Sequence, residues 1–218
     1  PLVLTYHTKY DVDIAKAVRG KLLQESAIRA LVQNIASCDE VWVVSRGAGE
    51  NLRSLGYEGD YIVMENGVDV PRGRVSDEAI AAATGRYDLP QNVPVFLFVG
   101  RLMWYKGIRI ILDALKTLCE KNVDFRMVFV GEGADGAEIR SYAEERKLSD
   151  RCFFTGAISD REIIRAWYGR SDLFLFPSTF DTNGLVVREA AASGTATVMI
   201  RNSCASAVSY THLRAHET

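Results

Sequence analysis

The sequence has no long apolar stretch and no excess of basic residues. These two absences argue against a membrane-spanning protein and against a nucleic-acid-binding protein. None of its apolar runs approaches the roughly 20 residues that a membrane-spanning helix needs, and the N-terminus is not a charged segment followed by an apolar one. The 26 Lys and Arg residues are balanced by 28 Asp and Glu residues, so the chain lacks the positive field that nucleic-acid binding requires. We therefore expect a cytoplasmic globular protein with no nucleic acid among its partners.

Cysteine is also scarce, and its spacing excludes a disulfide framework. Cys38, Cys119, Cys152 and Cys204 are far apart, and no two of them form a C-x-x-C pair. Single cysteines in apolar or helical surroundings are typical of buried, reduced thiols in a reducing compartment. We therefore expect the cysteines to be buried in the reduced form.

Apolar runs and helical patterns alternate along the chain, which predicts parallel α/β sheets. Up to residue 69 the pattern predicts strands at 1–7 and 38–45, a third strand with its turn at 61–69, and helices at 13–36 and 48–55. Three strands are few for a complete layer of this kind, so we expect the first domain to be incomplete.

A second alternating series follows the segment 70–94, whose proline and glycine residues predict a linker around one short helix, 77–83, capped by Ser76. The series predicts a doubly wound α/β domain, with strands at 95–100, 125–130, 152–155, 173–176 and 197–200 and helices at 108–121, 137–146, 160–168 and 188–193. We therefore place the first domain at residues 1–75 and the second at 76–207.

The last residues, 208–218, depart from the alternating pattern and resemble a translated sequencing adapter, so we expect a non-native tail. The tail carries His212 and His216, whose i, i+4 spacing would suit two metal ligands on one face of a helix. Because no third ligand accompanies them, we predict no metal site.

The stretch 174–194 combines the features of an anion-binding site. An apolar strand ends at Pro177, and a polar loop containing Asp181 and Asn183 leads into a helix that carries Glu189. The N-terminus of a helix offers unpaired N–H groups and a positive dipole end, which suit a phosphate. We expect Asp181 and Glu189 to face one pocket above the carboxyl edge of the sheet.

Two further loops follow strands at the same predicted edge. Arg101 and Lys106, within the G-R-x4-K-G stretch 100–107, could neutralise a diphosphate, although a solvated loop can carry the same cations.

The run 131–136 satisfies G-x-G-x-x-G and is followed by Asp150, which is also a pattern of dinucleotide-binding oxidoreductases. That fingerprint normally opens its domain, whereas here a strand and a helix precede it. A nicotinamide-dependent oxidoreductase is therefore the alternative.

The spacing of Asp181 and Glu189, continued by Ser193-Gly194, together with the 100–107 loop, resembles the retaining GT-B glycosyltransferases of family 4, the glycosyl transferases group 1. The family usually has glutamate where this chain has Asp181, and an aromatic residue where it has Asn183. The resemblance covers about residues 1–205. It implies the α/β GT-B fold, with two Rossmann-like doubly wound domains, the first of them incomplete.

The resemblance implies roles for the matched residues. Arg101 and Lys106 would bind the diphosphate and stabilise its departure. Glu189 would accept hydrogen bonds from the ribose, and Asp181 would hold hydroxyls of the donor sugar. His7, at the end of the first predicted strand, would touch the donor sugar or orient the acceptor. Turns and backbone amides would supply the remaining donor-binding positions, which are Gly131, Gly133, Thr155, Gly156, Ile158, Asn183, Gly184, Leu185 and Val186.

The run 66–69, Asn-Gly-Val-Asp, resembles the turn that leads from the first domain of this family towards the second. Gly67 is expected to supply a positive φ there. Its role is expected to be structural.

The activity implied by the resemblance is that of a metal-independent hexosyltransferase without a cofactor. Its donor substrate would be a nucleoside diphosphate sugar, with a UDP-sugar preferred, and an acceptor hydroxyl would attack with retention. The form of the motif at 181–190 is similar to a subgroup that includes diacylglycerol glucosyltransferases, which implies a lipid or glycan acceptor and peripheral contact with the inner face of the membrane. A piece of this length is expected to be inactive by itself. A non-catalytic GT-B protein that only binds a nucleotide sugar is a further alternative.

Overall fold

The structure, a computed structural model, describes residues 1–201, 203, 205 and 206. The chain forms two compact units. The first consists of Pro1–Gly67, Phe180–Gly184 and the described residues from 201 onward, and the second of Val68–Thr179 and Leu185–Ile200. The predicted tail at 208–218, with His212 and His216, lies outside the described residues.

The first unit is built on a parallel sheet of three strands in the order β1-β2-β3. Its elements are β1 (Val3–Tyr6), α1 (Tyr10–Ala17), α2 (Lys21–Ala36), β2 (Glu40–Val43), α3 (Arg46–Ser54) and β3 (Ile62–Val63). Tyr6, Val43 and Leu52 are fully buried in its core. Ser45 begins α3 as its N-cap, because its Oγ accepts a hydrogen bond from the Ala48 N–H at 3.1 Å.

Two predictions for the first unit are wrong. The helix expected at 13–36 is two helices, because the chain becomes extended at Val18 and Gly20 has a φ of 98° before α2 begins. The apolar periodicity continues through this break, so the sequence pattern hides it. Gly67 was expected to have a positive φ, but its φ lies outside that region.

The second unit contains a parallel sheet of five strands in the order β6-β5-β4-β7-β8. Its strands are β4 (Val95–Val99), β5 (Arg126–Val130), β6 (Cys152–Gly156), β7 (Leu173–Phe176) and β8 (Ala196–Met199). Its helices are α4 (Asp77–Thr84), α5 (Ile108–Glu120), α6 (Gly136–Glu145), α7 (Arg161–Arg170) and α8 (Leu185–Ala192), with a short 3-10 helix at Trp104–Lys106. The elements predicted for this part of the chain are confirmed, with small shifts at their ends, except that α8 begins at Leu185 rather than at residue 188.

The side chains of the central strands alternate between the two faces of this sheet. Phe98 and Phe129 pack in one core with residues of α5 and α6, whereas Leu97 and Val128 are buried on the other face. On that face α7 packs against β4, and α8 packs against β7 and β8. The domain is therefore doubly wound, and the direction of winding reverses between β4 and β7. Open α/β sheets bind ligands outside the carboxyl ends of the strands at such a point.

The segment 68–75 belongs to the second compact unit. The Gly73 N–H donates to the Ala192 carbonyl at 2.8 Å, and Arg165 Nη2 donates to the Gly73 carbonyl at 3.2 Å. These bonds fix the segment to α8 and α7. The predicted domain boundary between residues 75 and 76 stays a prediction.

The described cysteines are free thiols that differ in burial. Cys152 is 7% exposed, and burial raises the pKa of its thiol to about 12. Cys38 and Cys119 are only partly buried, so the expectation of buried thiols is wrong for these two. Cys204 lies outside the described residues.

We expect Cys152 to resist alkylation in the folded protein, because a thiol with a pKa of about 12 holds almost no thiolate at neutral pH. With iodoacetamide at pH 8, Cys152 should react about a hundredfold more slowly than Cys38 or Cys119. Peptide mass spectrometry over a time course measures the three rates. Denaturation should equalise them, and equal rates in the folded protein would contradict the burial of Cys152.

Candidate functional site

The loop after β4 carries two cations at the carboxyl edge of the second unit's sheet. Arg101 is exposed, and its Nη2 donates to the Tyr105 hydroxyl at 2.7 Å. Lys106 ends the 3-10 helix, and its Nζ lies 5.5 Å from the centroid of the Tyr105 ring. Tyr105 thus contacts both cations through one side chain. The sequence pattern does not single out Tyr105, since it stands at an unspecified position of G-R-x4-K-G.

The loops after β4 and β7 meet at the point where the winding of the sheet reverses. Gly107 has a φ of 79°, and a Cβ at this position would lie 2.5 Å from the Pro177 carbonyl oxygen. Only glycine allows this approach without strain. The cationic loop is therefore packed directly beside the chain that leaves β7, at the crevice expected to bind a ligand.

The turn after β5 supports the cationic loop through backbone contacts. The Gly100 N–H donates to the Val130 carbonyl at 3.0 Å, and the Leu102 N–H donates to the Glu132 carbonyl at 3.0 Å. A Cβ at Gly131 would overlap the Gly100 carbonyl oxygen, and one at Gly133 would overlap that of Leu102. These glycines are therefore explained by the contact between the two loops, and the pattern at 131–136 gives no support to the oxidoreductase alternative. The predicted role of Gly131 and Gly133 in donor binding stays a prediction.

Side-chain contacts also hold the 3-10 helix that carries Lys106. Asp135 Oδ2 accepts a hydrogen bond from the Trp104 N–H at 2.8 Å. The Arg109 guanidinium carbon lies 4.4 Å from the centroid of the Trp104 ring and 4.3 Å from that of Tyr142. Residues of α5 and α6 thus hold the loop in place, and we expect its cations to be preorganised for an anionic ligand.

The end of β6 belongs to the same edge of the sheet. The Gly131 N–H donates to the Gly156 carbonyl at 2.9 Å, and the Thr155 hydroxyl donates to the same carbonyl at 2.9 Å. Ile158 lies in the loop before α7 and is partly buried. The structure therefore brings Thr155 and Gly156 to the turn that contains Gly131, while the predicted contact of these residues with a nucleotide base stays a prediction.

Helix α8 presents its N-terminus after a turn at Gly184, which has a φ of 60°. Leu185 and Val186 are its first two residues, and the first four N–H groups of an α-helix have no partner within the helix. The backbone donors predicted for a phosphate are therefore at the start of this helix. Glu189 lies in its second turn and is partly buried.

Tyr168, at the end of α7, connects the start of α8 to Glu189. The side chain is 1% exposed, and its hydroxyl lies 3.1 Å from the Val186 carbonyl oxygen and 3.4 Å from Glu189 Oε2. Because a hydroxyl has one proton, it donates to one of these oxygens at a time. Burial, followed by the nearby charge of Glu189, raises the pKa of Tyr168 well above its usual value. No local motif marks Tyr168 in the sequence, since its partners are far along the chain.

His7 and Asp181 lie in the first unit. The Thr182 hydroxyl donates to the His7 carbonyl, and the Ser45 hydroxyl donates to the Thr182 carbonyl at 2.6 Å. The segment Phe180–Gly184 is therefore fixed at the carboxyl ends of β1 and β2. His7 is exposed and Asp181 is partly buried. That Asp181 and Glu189 face one pocket stays a prediction.

Within the described part of the chain, no three His, Cys, Asp or Glu side chains are placed to hold a metal ion. In the same residues no helix is both long enough and apolar enough to cross a membrane.

Comparison with known proteins identifies the family. Residues 81–210 match the family described as glycosyl transferases group 1, and this range contains the cationic loop, the start of α8 and Glu189. The chain belongs to the glycosyl transferases group 1 family. The family predicted from the motifs is therefore confirmed.

Individual members of this family match almost the whole chain. The α-monoglucosyldiacylglycerol synthase of Streptococcus pneumoniae is 24% identical over 199 residues, which cover 89% of this chain and 45% of that protein. The D-inositol 3-phosphate glycosyltransferase of Xylanimonas cellulosilytica is 31% identical over 210 residues, which cover 91% of this chain and 49% of that protein. The chain thus spans about half the length of these curated relatives.

Solved structures show the same fold. Anabaena HepE in complex with UDP-glucose matches with a TM-score of 0.75 at 21% identity, over 94% of this chain and 55% of that one. Sucrose-phosphate synthase from Thermosynechococcus elongatus matches with a TM-score of 0.71 at 27% identity, over 90% of this chain and 49% of that one. Together with the parallel sheets, these matches confirm the predicted α/β fold of the GT-B glycosyltransferases.

We expect Gly133→Ala to destabilise the second unit by about 1–3 kcal/mol, because the added Cβ would overlap the backbone of Leu102. The matched control is Gly67→Ala, where a Cβ meets no atom within 4 Å and φ is ordinary, and its effect should stay within about 0.5 kcal/mol. Urea unfolding of both variants and the unsubstituted chain measures the difference. Equal stabilities would show that the loops after β4 and β5 do not depend on this contact.

Proposed function

We propose that this chain carries the donor-binding part of a retaining glycosyltransferase that transfers a sugar from a nucleoside diphosphate sugar to an acceptor hydroxyl. The observation that carries the proposal is the arrangement at the carboxyl edge of the second unit's sheet. A fixed cationic loop and the N-terminus of α8 lie beside the two strands, β4 and β7, between which the winding reverses. Family membership and a solved relative in complex with UDP-glucose support the same reading.

The charges in this unit fit a diphosphate leaving group. Arg101 and Lys106 supply two positive charges next to Tyr105, and the N–H groups that begin α8 supply further donors. Charge that develops on the departing diphosphate would be stabilised by groups already in position, which lowers the barrier to departure. Glu189, held by Tyr168, is an acceptor for the ribose hydroxyls of the nucleotide.

The reaction proposed needs neither a metal nor a cofactor, because the protein's own cations stabilise the leaving group. The diphosphate leaves the sugar carbon with the bonding electron pair, the acceptor oxygen forms its bond on the same side, and the hydroxyl proton passes to the departing diphosphate. The configuration is therefore retained and no enzyme nucleophile is required. His7 and Asp181, in the first unit, are proposed to bind hydroxyls of the substrates. The alternative of a GT-B protein that binds a nucleotide sugar without transferring it shares the same donor site and would release no sugar.

The acceptor is proposed to be a hydroxyl of a lipid or a glycan. The names of two relatives support a lipid, since one is a monoglucosyldiacylglycerol synthase and another a phosphatidylinositol dimannoside mannosyltransferase. A lipid acceptor would require peripheral contact with the membrane, at its inner face. A UDP-sugar is proposed as the preferred donor, which the complex of HepE with UDP-glucose supports, whereas the name of the mannosyltransferase gives GDP-mannose as its donor.

We expect Glu189→Gln to weaken the binding of UDP about tenfold or more, because a hydrogen bond to a charged acceptor contributes about 1.5–3 kcal/mol. Isothermal titration calorimetry of the 218-residue chain with UDP, GDP and NAD measures the affinities. The control variant is Glu145→Gln, since Glu145 is exposed at the end of α6, and it should bind UDP like the unsubstituted chain. Binding of NAD alone, or UDP binding unaffected by the loss of Glu189, would contradict the proposal.

We expect Tyr168→Phe to weaken UDP binding about three- to tenfold, because Glu189 loses the hydroxyl that orients it. If Tyr168 acts through Glu189, the double variant with Glu189→Gln should bind UDP no more weakly than Glu189→Gln alone. Tyr57→Phe serves as the control for stability, since it also removes a hydroxyl bonded to a backbone carbonyl, that of Asp60 at 2.9 Å. It should lower the melting temperature without changing UDP affinity. Additive losses in the double variant would assign Tyr168 a role independent of Glu189.

A further inference from the structure

Tyr105 is a partly buried residue of the loop after β4, and its side chain contacts both cations of that loop. Its hydroxyl accepts a hydrogen bond from Arg101 Nη2 at 2.7 Å. The centroid of its ring lies 5.5 Å from Lys106 Nζ and 6.0 Å from the Arg101 guanidinium carbon. The face of an aromatic ring is negative and attracts a cation within about 6 Å. One aromatic side chain therefore attracts both positive charges.

The backbone of this loop is held by other contacts. The N–H groups of Gly100 and Leu102 donate to carbonyls at the end of β5 and in the turn after it, and the Trp104 N–H donates to Asp135. Because about three residues make one turn of a 3-10 helix, Tyr105 points to a different side from Trp104, whose ring packs on α6. The contacts of the Tyr105 side chain instead reach the charged ends of two side chains, which backbone bonds do not fix.

The two cations need such an anchor, because like charges repel and long side chains have many rotamers. Arg101 is exposed and Lys106 is partly buried. A ligand that binds both has to order them, and the side-chain freedom lost in doing so weakens binding. The contacts with Tyr105 supply part of this order before the ligand arrives. The bond to Tyr105 uses one of the five N–H donors of Arg101, and a bidentate contact with a phosphate needs two.

We propose that Tyr105 is a positioning residue, which holds the charged ends of Arg101 and Lys106 together for the two phosphates of a nucleoside diphosphate. This inference rests on the proposed function, and it concerns a residue that acts through the cations. A diphosphate carries its charge on two neighbouring phosphates, so it gains more from two cations held together than a monophosphate does. Tyr105 thereby helps the site to prefer a nucleoside diphosphate to the monophosphate.

The test compares UDP with UMP, because the two ligands differ by one phosphate. Tyr105→Phe keeps the ring and removes the hydroxyl that holds Arg101, so it should weaken UDP binding about three- to fivefold and leave UMP binding almost unchanged. Tyr105→Leu removes the ring as well, so it should weaken UDP binding about tenfold. Isothermal titration calorimetry of the 218-residue chain and its variants measures the affinities.

A double variant shows whether Tyr105 acts through Arg101. If it does, Tyr105→Phe should weaken UDP binding no further in a chain that already carries Arg101→Gln. A tyrosine that only stabilises the fold would give additive losses in the double variant, and its loss would weaken UMP binding as much as UDP binding. Either of these results would overturn the positioning role.

The chain contains a matched control pair, Arg86 and Tyr87, in the segment that precedes β4. Arg86 Nη2 donates to the Tyr87 hydroxyl at 2.8 Å, and the guanidinium carbon lies 4.9 Å from the centroid of the Tyr87 ring. The arginine is exposed and the tyrosine partly buried, as in the pair of Arg101 and Tyr105. Tyr87→Phe should therefore lose the same kind of bond without changing the affinity for either ligand. An equal loss of UDP affinity in this control would contradict a role specific to Tyr105.

The outcomes separate this inference from the proposed function. An unsubstituted chain that does not bind UDP would overturn the donor site, and with it the role of Tyr105. If the unsubstituted chain binds UDP and Glu189→Gln weakens that binding, while Tyr105→Phe and Tyr105→Leu keep the full affinity, the role of Tyr105 alone is overturned.

Discussion

The close approach of backbone to backbone at Gly100, Gly131 and Gly156 is the constraint on which the candidate site depends. The hydrogen bonds at these residues join the ends of β4, β5 and β6, and a Cβ at Gly131 would separate the first two. The loop after β5 thereby supports the loop after β4, which carries the two cations. A cation on a fixed backbone does not have to be reoriented when charge develops on a leaving group, and this is the main source of electrostatic catalysis.

The carboxylate of the candidate site, that of Glu189, is held by a buried side chain, that of Tyr168. Tyr168 reaches both the first turn of α8 and Glu189, so it links the backbone donors to the carboxylate acceptor. Burial raises the pKa of Tyr168 well above its usual value, so the hydroxyl keeps its proton at neutral pH. It is therefore able to donate to the oxygens of α8 there.

Local sequence patterns predict much of this architecture. The elements that they do not predict are missed for physical reasons. The strands of the second unit are predictable because each is a short apolar run bounded by turn residues. The start of α8 is not, since Val186 and Val187 favour strands. The hydrogen bond from the Tyr168 hydroxyl to the Val186 carbonyl, which helps to hold this turn, joins residues that are far apart in the sequence. The role of the glycines in the run 131–136 cannot be read from the sequence for a related reason. A glycine pattern shows that some backbone comes close, but it does not show whether that backbone belongs to a ligand or to a neighbouring loop.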